Sequence, residues 1–338
     1  MSRSRRQSGT VAASVALAAT GLGLWRWKRR RLASLAANSE LVETDRGVVE
    51  VARRGSGPPV LVLHGAPGGY DQGLCFGEAL FGDDVEVIAP SRPGYLRTPL
   101  EANGSPSAQA AQCVALMDEL GVERAVVAGY SSGGPAALHL AVEHPERVSG
   151  LVLGAAVTTQ FEERAYGVGV PVLDSVLTST PFLDVFSGAL AALARLAPGR
   201  VVALGPGMSS TLDGDELRAY VESVASRPTH RERVLALAAS LSPASARVDG
   251  VLNDERWQRR LPLLDYADVA CPTLVLTGAY DALVPRSHAE YVLERIPDVE
   301  HHEAAADHIL MVGPDAAETE RVVDAFVDTV LSSNPQSS

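Results

Sequence analysis

Val126-Val127-Ala128-Gly129-Tyr130-Ser131-Ser132-Gly133-Gly134 is the stretch around which the rest of the chain is organised. An apolar run rich in valine ends at Gly129, and a helix-compatible run, residues 135–143, begins almost at once. We therefore predict a strand, a tight turn and a helix, with Ser131 at the centre of a Gly-x-Ser-x-Gly pattern. Glycines two residues before and after the serine suit a turn whose neighbouring backbone leaves no room for larger side chains. An ordinary strand-to-helix turn can have the same pattern, so the pattern alone does not identify a nucleophile. A nucleophilic serine also needs a base, an acid and an oxyanion hole from elsewhere in the chain.

Composition indicates a globular chain with an acidic body. The 338 residues are 46% hydrophobic and 21% charged, and the length allows a sizeable core. The formal net charge is −12, but residues 1–31 hold eight basic residues and no acidic one. The remainder carries 21 basic and 41 acidic residues, a net charge of −20. Because such a body repels phosphate, nucleic acid is not an expected partner.

Two residue types narrow the chemistry further. Lys28 is the only lysine, which excludes a Schiff-base lysine, a phosphate-loop lysine and a Ser–Lys pair from the body of the chain. Cys75, Cys113 and Cys271 lack Cys-x-x-Cys spacing, so we expect buried apolar side chains rather than a disulfide framework or a zinc site. Neither a cofactor nor a metal ion is expected.

Residues 9–25 form an apolar run of 17 residues without a charge, with arginines on both sides. Three interpretations stay open: a short membrane anchor, an export signal, and a disordered tail. The basic cluster that follows the run favours an anchor over a cleaved signal. We therefore expect membrane contact through residues 9–25, with an exported or a cytoplasmic protein as the alternatives. Residues 1–40 are taken as this N-terminal segment.

From residue 41 onward, short apolar strands alternate with helices, which is typical of an α/β fold with a mostly parallel, helix-covered sheet. The alternation stops between residues 158 and 268, which read as helices and loops. We predict an α/β core in two parts, residues 41–157 and 269–331, a helical cap inserted at 158–268, and a tail at 332–338. Strands are expected at 41–53 (two, as a hairpin), 59–64, 85–89, up to Gly129, 151–156, 272–278 and 299–304.

Two polar residues follow later strands, at the sheet edge where open parallel sheets bind their ligands. Asp281 comes after the strand that ends at Gly278, and His308 comes after the last strand. With Ser131 they give the chain order Ser, Asp, His that accompanies this kind of turn. Together with His64-Gly65 these motifs resemble an α/β-hydrolase-fold serine hydrolase with a helical cap, esterase- or lipase-like, over residues 41–331.

The resemblance implies a catalytic triad. Ser131 would be the nucleophile, His308 would take its proton, and Asp281 would orient the imidazole and stabilise its charged form. The resemblance also implies an oxyanion hole made by the backbone N–H groups of Ala66 and Ser132.

The substrate site is expected to include Gly65 and Tyr130. Tyr70 and Tyr280 could line the pocket as well, although packing in the core is the simpler and favoured interpretation of all three tyrosines. His64 is expected to have a structural hydrogen-bonding role.

Other residues could fill the three catalytic roles. Ser132 is the alternative nucleophile, but Tyr130 would then stand where a glycine is needed. The alternative acids are Asp265, Asp268, Asp307 and Glu162, and the alternative bases are His288, His301 and His302.

Residues 64–69, His-Gly-Ala-Pro-Gly-Gly, also resemble the His-Gly-Gly-Pro-Gly of proline iminopeptidases. Such an enzyme needs acidic cap residues for the substrate amine, and the candidates are Glu162-Glu163 and Asp213-Asp215-Glu216. A departure from the α/β-hydrolase pattern occurs at Ser91, where the family's Asp-x-x-Gly-x-Gly loop usually has its acid.

The leading hypothesis is a serine hydrolase that cleaves carboxylic ester (acyl) bonds of a small, hydrophobic substrate through an acyl-enzyme. An aminopeptidase or amidase is the first alternative, and a non-catalytic binding protein of the same fold is the second. Ser131 excludes the branches of the family that use an aspartate nucleophile. Carbon–carbon bond hydrolysis stays open because fold does not fix the substrate.

Overall fold

An eight-stranded, mostly parallel sheet runs through the centre of the molecule. The structure is a computed structural model, and it describes residues 21–161, 179–262 and 264–333. The strand order is β1-β2-β4-β3-β5-β6-β7-β8. β2 is antiparallel to both of its neighbours, and the strands from β4 to β8 are parallel. The strands are β1 (Glu40–Thr44), β2 (Gly47–Gly55), β3 (Pro59–Leu63), β4 (Glu86–Pro90), β5 (Ala125–Tyr130), β6 (Val148–Gly154), β7 (Thr273–Gly278) and β8 (Val299–Ala304).

The predicted strands are confirmed, and burial explains their composition. Every residue of β5 and β6 is buried, as expected for continuous apolar runs covered on both faces. The edge strand β1, by contrast, has no buried residue and is mostly exposed. β5 therefore lies near the middle of the sheet, and Ser131 follows directly at its carboxyl end.

Helices cover both faces of this sheet. The described helices are α1 (21–36), α2 (Tyr70–Leu80), α3 (Pro106–Glu119), α4 (Gly134–Glu143), α5 (Thr180–Leu196), α6 (Pro198–Ser209), α7 (Gly214–Ser226), α8 (Pro228–Ser240), α9 (Val248–Gln258), α10 (Ser287–Leu293) and α11 (Ala316–Ser333). Residues of α2 and α11 share one apolar core with one face of the sheet. Residues of α3, α4 and α10 share a second core with the other face. The α/β fold predicted from the sequence is thus a three-layer arrangement.

Helices α5 to α9 lie between β6 and β7, where the sequence predicts an inserted cap, and the described elements there are helical. We call these helices and the residues that join them the cap. Residues 162–178, which include the candidate Glu162, lie outside the described residues. The exact limits of the cap stay a prediction.

Helix α1 precedes residue 41 and packs against both core and cap. Leu35 is buried, and its carbonyl accepts a hydrogen bond from the Tyr70 hydroxyl at 2.7 Å. Lys28 Nζ lies 2.7 Å from Asp184 on α5. The packed body therefore includes residues that the sequence assigned to the N-terminal segment.

The predicted anchor is only partly described, because residues 9–20 lie outside the described ranges. Across those ranges, we find no helix with the length and apolar character needed to span a lipid bilayer. The three cysteines are free. Burial raises the pKa values of the Cys75 and Cys113 thiols to about 12, so both stay protonated at neutral pH.

Candidate active site

Ser131 sits on a sharp turn between β5 and α4. The turn is a 3₁₀ segment, Ser131–Gly133, and α4 begins at Gly134. Ser131 has φ +51°, in the left-handed region that non-glycine residues seldom occupy. Such strain is retained only where the surroundings enforce it, and it is common at functional sites. The turn thus presents the Ser131 hydroxyl at the carboxyl edge of the sheet.

The glycines of this turn are required by close backbone contacts. A Cβ atom on Gly129 would lie 2.6 Å from the Ala137 Cβ, and one on Gly133 would lie 2.2 Å from the Leu63 carbonyl oxygen. A Cβ on Gly65 would lie 2.9 Å from the Ser131 Cβ. The loop after β3 therefore passes directly beside the serine, as expected if it supplies backbone donors there.

Asp281 and His308 form a hydrogen-bonded pair at the same edge. His308 Nδ1 lies 2.8 Å from Asp281 Oδ2, and both side chains are largely buried. The second carboxylate oxygen accepts hydrogen bonds from the backbone N–H groups of Leu283, at 2.7 Å, and Val284, at 3.0 Å. The carboxylate is thus fixed at both oxygens. Because it accepts from Nδ1–H, the Nε2 atom of His308 is left as the basic nitrogen.

Tyr130 connects the serine to the histidine. Its hydroxyl donates to the His308 carbonyl at 2.6 Å and accepts from the Leu310 N–H at 3.0 Å. The rings of Tyr130 and His308 lie edge to face, 5.8 Å apart, and Tyr130 stacks on Phe76. Tyr130 is buried, and its polar atom is used by the His308 loop, so its predicted contact with substrate stays a prediction.

The hydrogen bonds among the described residues include none between Ser131 Oγ and the His308 ring. Such contacts are often long in ligand-free hydrolases and shorten when substrate binds. The structure thus brings the predicted acid and the predicted base together, and it ties His308 to Tyr130, the residue that precedes the serine.

His64 orients the peptide that carries the predicted oxyanion donor. Its Nδ1 contacts the Gly65 carbonyl at 2.7 Å, and its Nε2 accepts from the Arg92 N–H at 3.0 Å. Burial and the adjacent Arg92 guanidinium hold the pKa of His64 well below its usual range, so the ring is neutral and Nδ1 is the donor. In a planar trans peptide the N–H points opposite to the C=O. Fixing the Gly65 carbonyl therefore also fixes the Ala66 N–H.

Two arginine–aspartate pairs with buried guanidinium groups connect the core to the cap, and the sequence did not predict either of them. Arg92 reaches Asp254 on α9 through both guanidinium nitrogens, at 2.6 and 2.9 Å, and its Nε donates to the His64 carbonyl at 2.8 Å. Arg247 reaches Asp71 on α2 at 2.8 and 3.0 Å. We call these four residues the arginine seam.

The arginine seam lies next to the loop of residues 64–69, which carries the predicted oxyanion donor Ala66. We call this loop the oxyanion loop. Arg247 is fully buried and also donates to the Gly68 carbonyl. Arg31 on α1 shares the Asp71 carboxylate at 3.2 Å. The loop of residues 64–69 is thereby held from one side by Arg92 and from the other by Arg247.

The alternative acids and bases lie elsewhere. Asp265 caps a short 3₁₀ turn by accepting from the Ala267 N–H, and Asp268 is exposed. Burial lowers the pKa of His288 to about 4, and its Nδ1 accepts from the Thr158 N–H. His301 and His302 lie on β8, away from Ser131 in the sheet order, while Asp307 is buried beside His308 and contacts the cap.

The acidic cap candidates for an amine site do not form a described pocket. Asp213, Asp215 and Glu216 are exposed, and Asp215 pairs with Arg218 on the same helix. Among residues 21–161, 179–262 and 264–333, no group of three or more His, Cys, Asp or Glu side chains is placed to hold a metal ion.

Several curated relatives of this chain are hydrolases, and their named substrates differ. An uncharacterized hydrolase, YcgS, from Bacillus subtilis is 27% identical over 86% of this chain and 98% of its own length. A 2-hydroxymuconate semialdehyde hydrolase from Pseudomonas putida is 27% identical over 74% of this chain and 79% of its own. A pimeloyl-[acyl-carrier protein] methyl ester esterase from Aromatoleum aromaticum is 33% identical over 63% of this chain and 76% of its own.

Solved structures share the architecture. An alpha/beta hydrolase fold protein from Nakamurella multipartita superposes with a TM-score of 0.77 at 31% identity, over 85% of this chain and 98% of its own. The family model for the alpha/beta hydrolase fold matches residues 58–314, which span both parts of the core and the cap. The chain therefore belongs to the alpha/beta hydrolase family and is a hydrolase.

Proposed function

We propose that this hydrolase is a serine esterase that cleaves carboxylic esters through an acyl-enzyme on Ser131. The observation that supports this most directly is the His308–Asp281 hydrogen bond of 2.8 Å, formed by residues that follow β8 and β7 while Ser131 follows β5. A base oriented by a carboxylate is what a serine hydroxyl needs to act as a nucleophile.

In the first half of the reaction, Ser131 Oγ attacks the ester carbonyl carbon while His308 Nε2 takes the hydroxyl proton. The carbonyl oxygen becomes an oxyanion and accepts hydrogen bonds from the N–H groups of Ala66 and Ser132. The tetrahedral intermediate then breaks its bond to the leaving alkoxide, which takes the proton from His308 and departs as an alcohol. Each oxyanion donor is expected to lower the activation free energy by about 3–4 kcal/mol.

In the second half, water replaces the alcohol. His308 removes a proton from the water, the hydroxide attacks the acyl carbon, and a second tetrahedral intermediate forms in the same oxyanion hole. Its collapse breaks the bond to Ser131 Oγ, which recovers its proton from His308 and releases the carboxylic acid. The enzyme returns to its starting protonation state without a cofactor.

A fluorophosphonate probe combined with an ester series tests this proposal. We expect the probe to modify the wild-type protein, and we expect the modification to disappear in Ser131→Ala. Comparison with Ser132→Ala identifies the nucleophile, because labelling that disappears only in that variant would move the role to the neighbouring serine. A folded wild-type protein that neither reacts with the probe nor hydrolyses p-nitrophenyl esters would favour the non-catalytic binding protein.

The substrate is proposed to be small and hydrophobic on its acyl side. One relative is named as an esterase of a pimeloyl methyl ester, and the cap that covers the sheet edge is rich in apolar residues. Across p-nitrophenyl esters from acetate to decanoate, we expect kcat/KM to rise with chain length. A flat or falling series would contradict the hydrophobic acyl side and leave the esterase assignment in place.

Carbon–carbon bond hydrolysis is the second candidate, because another relative is named as a 2-hydroxymuconate semialdehyde hydrolase. This reaction would use the same serine and histidine on a ketone carbonyl. Turnover of that semialdehyde with a kcat/KM above that of every ester tested would replace the proposed ester substrate. An aminopeptidase is less favoured. It would need acidic residues to bind the free amino group of its substrate, and Asp215 and its acidic neighbours face solvent.

We also propose contact with an anionic lipid surface through the outer faces of α1 and α5. α1 exposes Leu22 and Trp25, at the end of the uncharged run of residues 9–25, beside Arg26, Arg29 and Arg30. Apolar side chains flanked by arginines suit the boundary between acyl chains and anionic headgroups. The neighbouring α5, which α1 contacts through Lys28 and Asp184, exposes further large apolar residues: Phe182, Val185 and Phe186.

Vesicle sedimentation tests this contact. Binding to phosphatidylglycerol vesicles, weakened by salt and by Arg26→Gln/Arg29→Gln/Arg30→Gln, is the expected result. Equal binding to phosphatidylcholine and phosphatidylglycerol, or no binding to either, would contradict an anionic lipid partner.

A further inference from the structure

A buried carboxyl group stands directly before His308 and has no part in the proposed reaction. Asp307 is fully buried. Its Oδ2 lies 2.6 Å from Ser209 Oγ on cap helix α6, and its Oδ1 accepts from the Tyr220 hydroxyl on cap helix α7 at 3.2 Å. Oδ1 also accepts from the Ile309 N–H at 2.9 Å. We call Ser209, Tyr220 and Asp307 the hydroxyl seam, because two cap hydroxyls meet one core carboxyl there.

The hydroxyl seam holds the backbone on both sides of the histidine. The Tyr220 hydroxyl accepts from the Asp307 N–H at 3.1 Å, and the Ser209 carbonyl accepts from the His308 N–H at 3.4 Å. On the far side, Tyr130 binds the His308 carbonyl and the Leu310 N–H. The backbone N–H groups of residues 307–310 and the His308 carbonyl are therefore all hydrogen-bonded, so the His308 ring moves mainly through its own side-chain torsions.

The cap residue that contacts Asp307 also contacts the loop of the acid. The Ser209 carbonyl accepts from the Ala282 N–H at 3.0 Å, one residue beyond Asp281. The next cap residues continue this contact, because the Thr211 N–H donates to the Tyr280 carbonyl at 2.8 Å. One end of α6 thus contacts both loops that bring His308 and Asp281 together.

Counting protons at this contact favours a neutral carboxyl group. The Ser209 hydroxyl has one hydrogen and two acceptors within reach, the Gly205 carbonyl at 2.9 Å and Asp307 Oδ2 at 2.6 Å. Both contacts are satisfied together when Asp307 carries a proton, donates it to Ser209 Oγ, and Ser209 donates to Gly205. Burial raises the pKa of Asp307, which acts in the same direction, while its hydrogen bonds and the nearby His308 oppose the shift.

We propose that Asp307 is a positioning residue: as a neutral acid clamped by Ser209 and Tyr220 of the cap, it fixes the His308 backbone so that the imidazole meets both Asp281 and Ser131. The inference rests on the proposed role of His308 as the base. It implies that catalysis depends on a correctly seated cap even though the proposed reaction assigns no step to a cap residue. Because a displacement of about 1 Å can cost up to ~100-fold in rate, the expected signature is a fall in kcat.

Four variants test the proposal by their kcat and KM on one p-nitrophenyl ester. Asp307→Ala and Ser209→Ala should lower kcat by about 10-fold or more, with KM changed by less than about 3-fold. Asp307→Asn, which has the shape and donor of the neutral acid, should keep kcat within about 3-fold of wild type. Ser226→Ala, on the same cap helix as Tyr220 but exposed, is the matched control and should behave as wild type.

Each outcome separates the inference from the proposed function. Wild-type kcat in both Asp307→Ala and Ser209→Ala, with Ser131→Ala inactive, would overturn the positioning role and leave the esterase intact. A kcat in Asp307→Asn as low as in Asp307→Ala would overturn the neutral acid. If Asp307→Ala does not fold, Tyr220→Phe removes a single hydroxyl, and a kcat equal to that of Ser226→Ala would overturn the clamp. A wild-type protein inert to the fluorophosphonate would instead refute the proposed function.

Discussion

The cap meets the core along two contacts that use different chemistry. The arginine seam joins Arg92 to Asp254 and Arg247 to Asp71, with each carboxylate facing a buried guanidinium. The hydroxyl seam joins Asp307 to Ser209 and Tyr220, so the carboxyl group faces two hydroxyl groups and a backbone N–H instead. The first borders the loop that carries Ala66, the proposed oxyanion donor, and the second borders His308, the proposed base.

This difference follows from what each side of the site has to stabilise. Near the oxyanion loop, positive charge favours the negative charge that develops on the substrate. Near the base, a buried cation would oppose the imidazolium that forms during reaction, and a second full carboxylate would compete with Asp281 for it. A cap held by ions on one side and by a neutral acid on the other avoids both conflicts.

The largest effect is expected from breaking one ion pair of the arginine seam. Asp254→Ala leaves the Arg92 guanidinium buried without its carboxylate, and this should lower the free energy of unfolding by about 3–5 kcal/mol. Urea unfolding measures the change. Asp215→Ala, which breaks an exposed pair with Arg218, is the control and should change the free energy by about 1 kcal/mol at most. Equal losses in the two variants would contradict a buried ion pair at Arg92.

Arg247→Met should affect stability less, because the charge itself is removed and the methionine chain fills part of its volume. Asp71 keeps Arg31, and the Gly68 carbonyl loses a donor, so we expect a loss of about 1–3 kcal/mol. The oxyanion loop should also lose its fixed position, and kcat for an ester should fall by roughly 10-fold. A variant with unchanged kcat would show that Arg247 supports the cap but not the loop.

The hydroxyl seam should respond to pH in the way a neutral buried acid requires. Because folding raises the pKa of Asp307, the unfolded chain loses its proton first, and this residue's contribution to stability falls as pH rises from the unfolded pKa through the folded one. Asp307→Asn removes that loss. The variant should therefore gain stability relative to wild type between acidic and neutral pH, as urea unfolding at the two pH values would reveal. A relative loss at neutral pH would indicate a stabilising carboxylate.

The smallest effect is expected at the edge of the arginine seam. Arg31 contacts Asp71 at 3.2 Å and the Ala239 carbonyl at 3.0 Å, but it is partly exposed. Arg31→Met should lower the free energy of unfolding by about 1 kcal/mol or less. Salt should reduce the difference between the two proteins. A loss as large as that of Asp254→Ala would mean that the N-terminal helix is central to the arginine seam.

The sequence predicted what local pattern and chain order determine. Continuous apolar runs identified the strands, and residues just after strand ends gave Ser131, Asp281 and His308, because parallel strands gather their carboxyl ends at one edge. The sequence also predicted that Gly129 and Gly133 are needed beside Ser131, because the tight turn there leaves no room for a Cβ atom.

The sequence did not predict either seam. Arg92 and Asp254 are 162 residues apart, and Arg247 and Asp71 are 176 apart, so no local spacing connects them. From the sequence, Asp307 is only an alternative to Asp281, because a carboxyl group beside a histidine resembles a catalytic acid until its hydroxyl partners are known. Helix α1 was missed as part of the packed body because its basic residues follow an anchor-like run.

Helix α1 follows the predicted anchor and also packs on the core and the cap, so the same helix bears on membrane contact and on stability. Its residues reach the cap through Lys28 and the core through Leu35, and Arg31 adds a second cation to a carboxylate that Arg247 already uses. A protease that cut after residue 31 would remove the predicted anchor together with Lys28 and Arg31, which contact Asp184 and Asp71. It would remove one of the two guanidinium groups at Asp71 and uncover part of the cap, so the shortened enzyme would hold its oxyanion loop less firmly than the full chain.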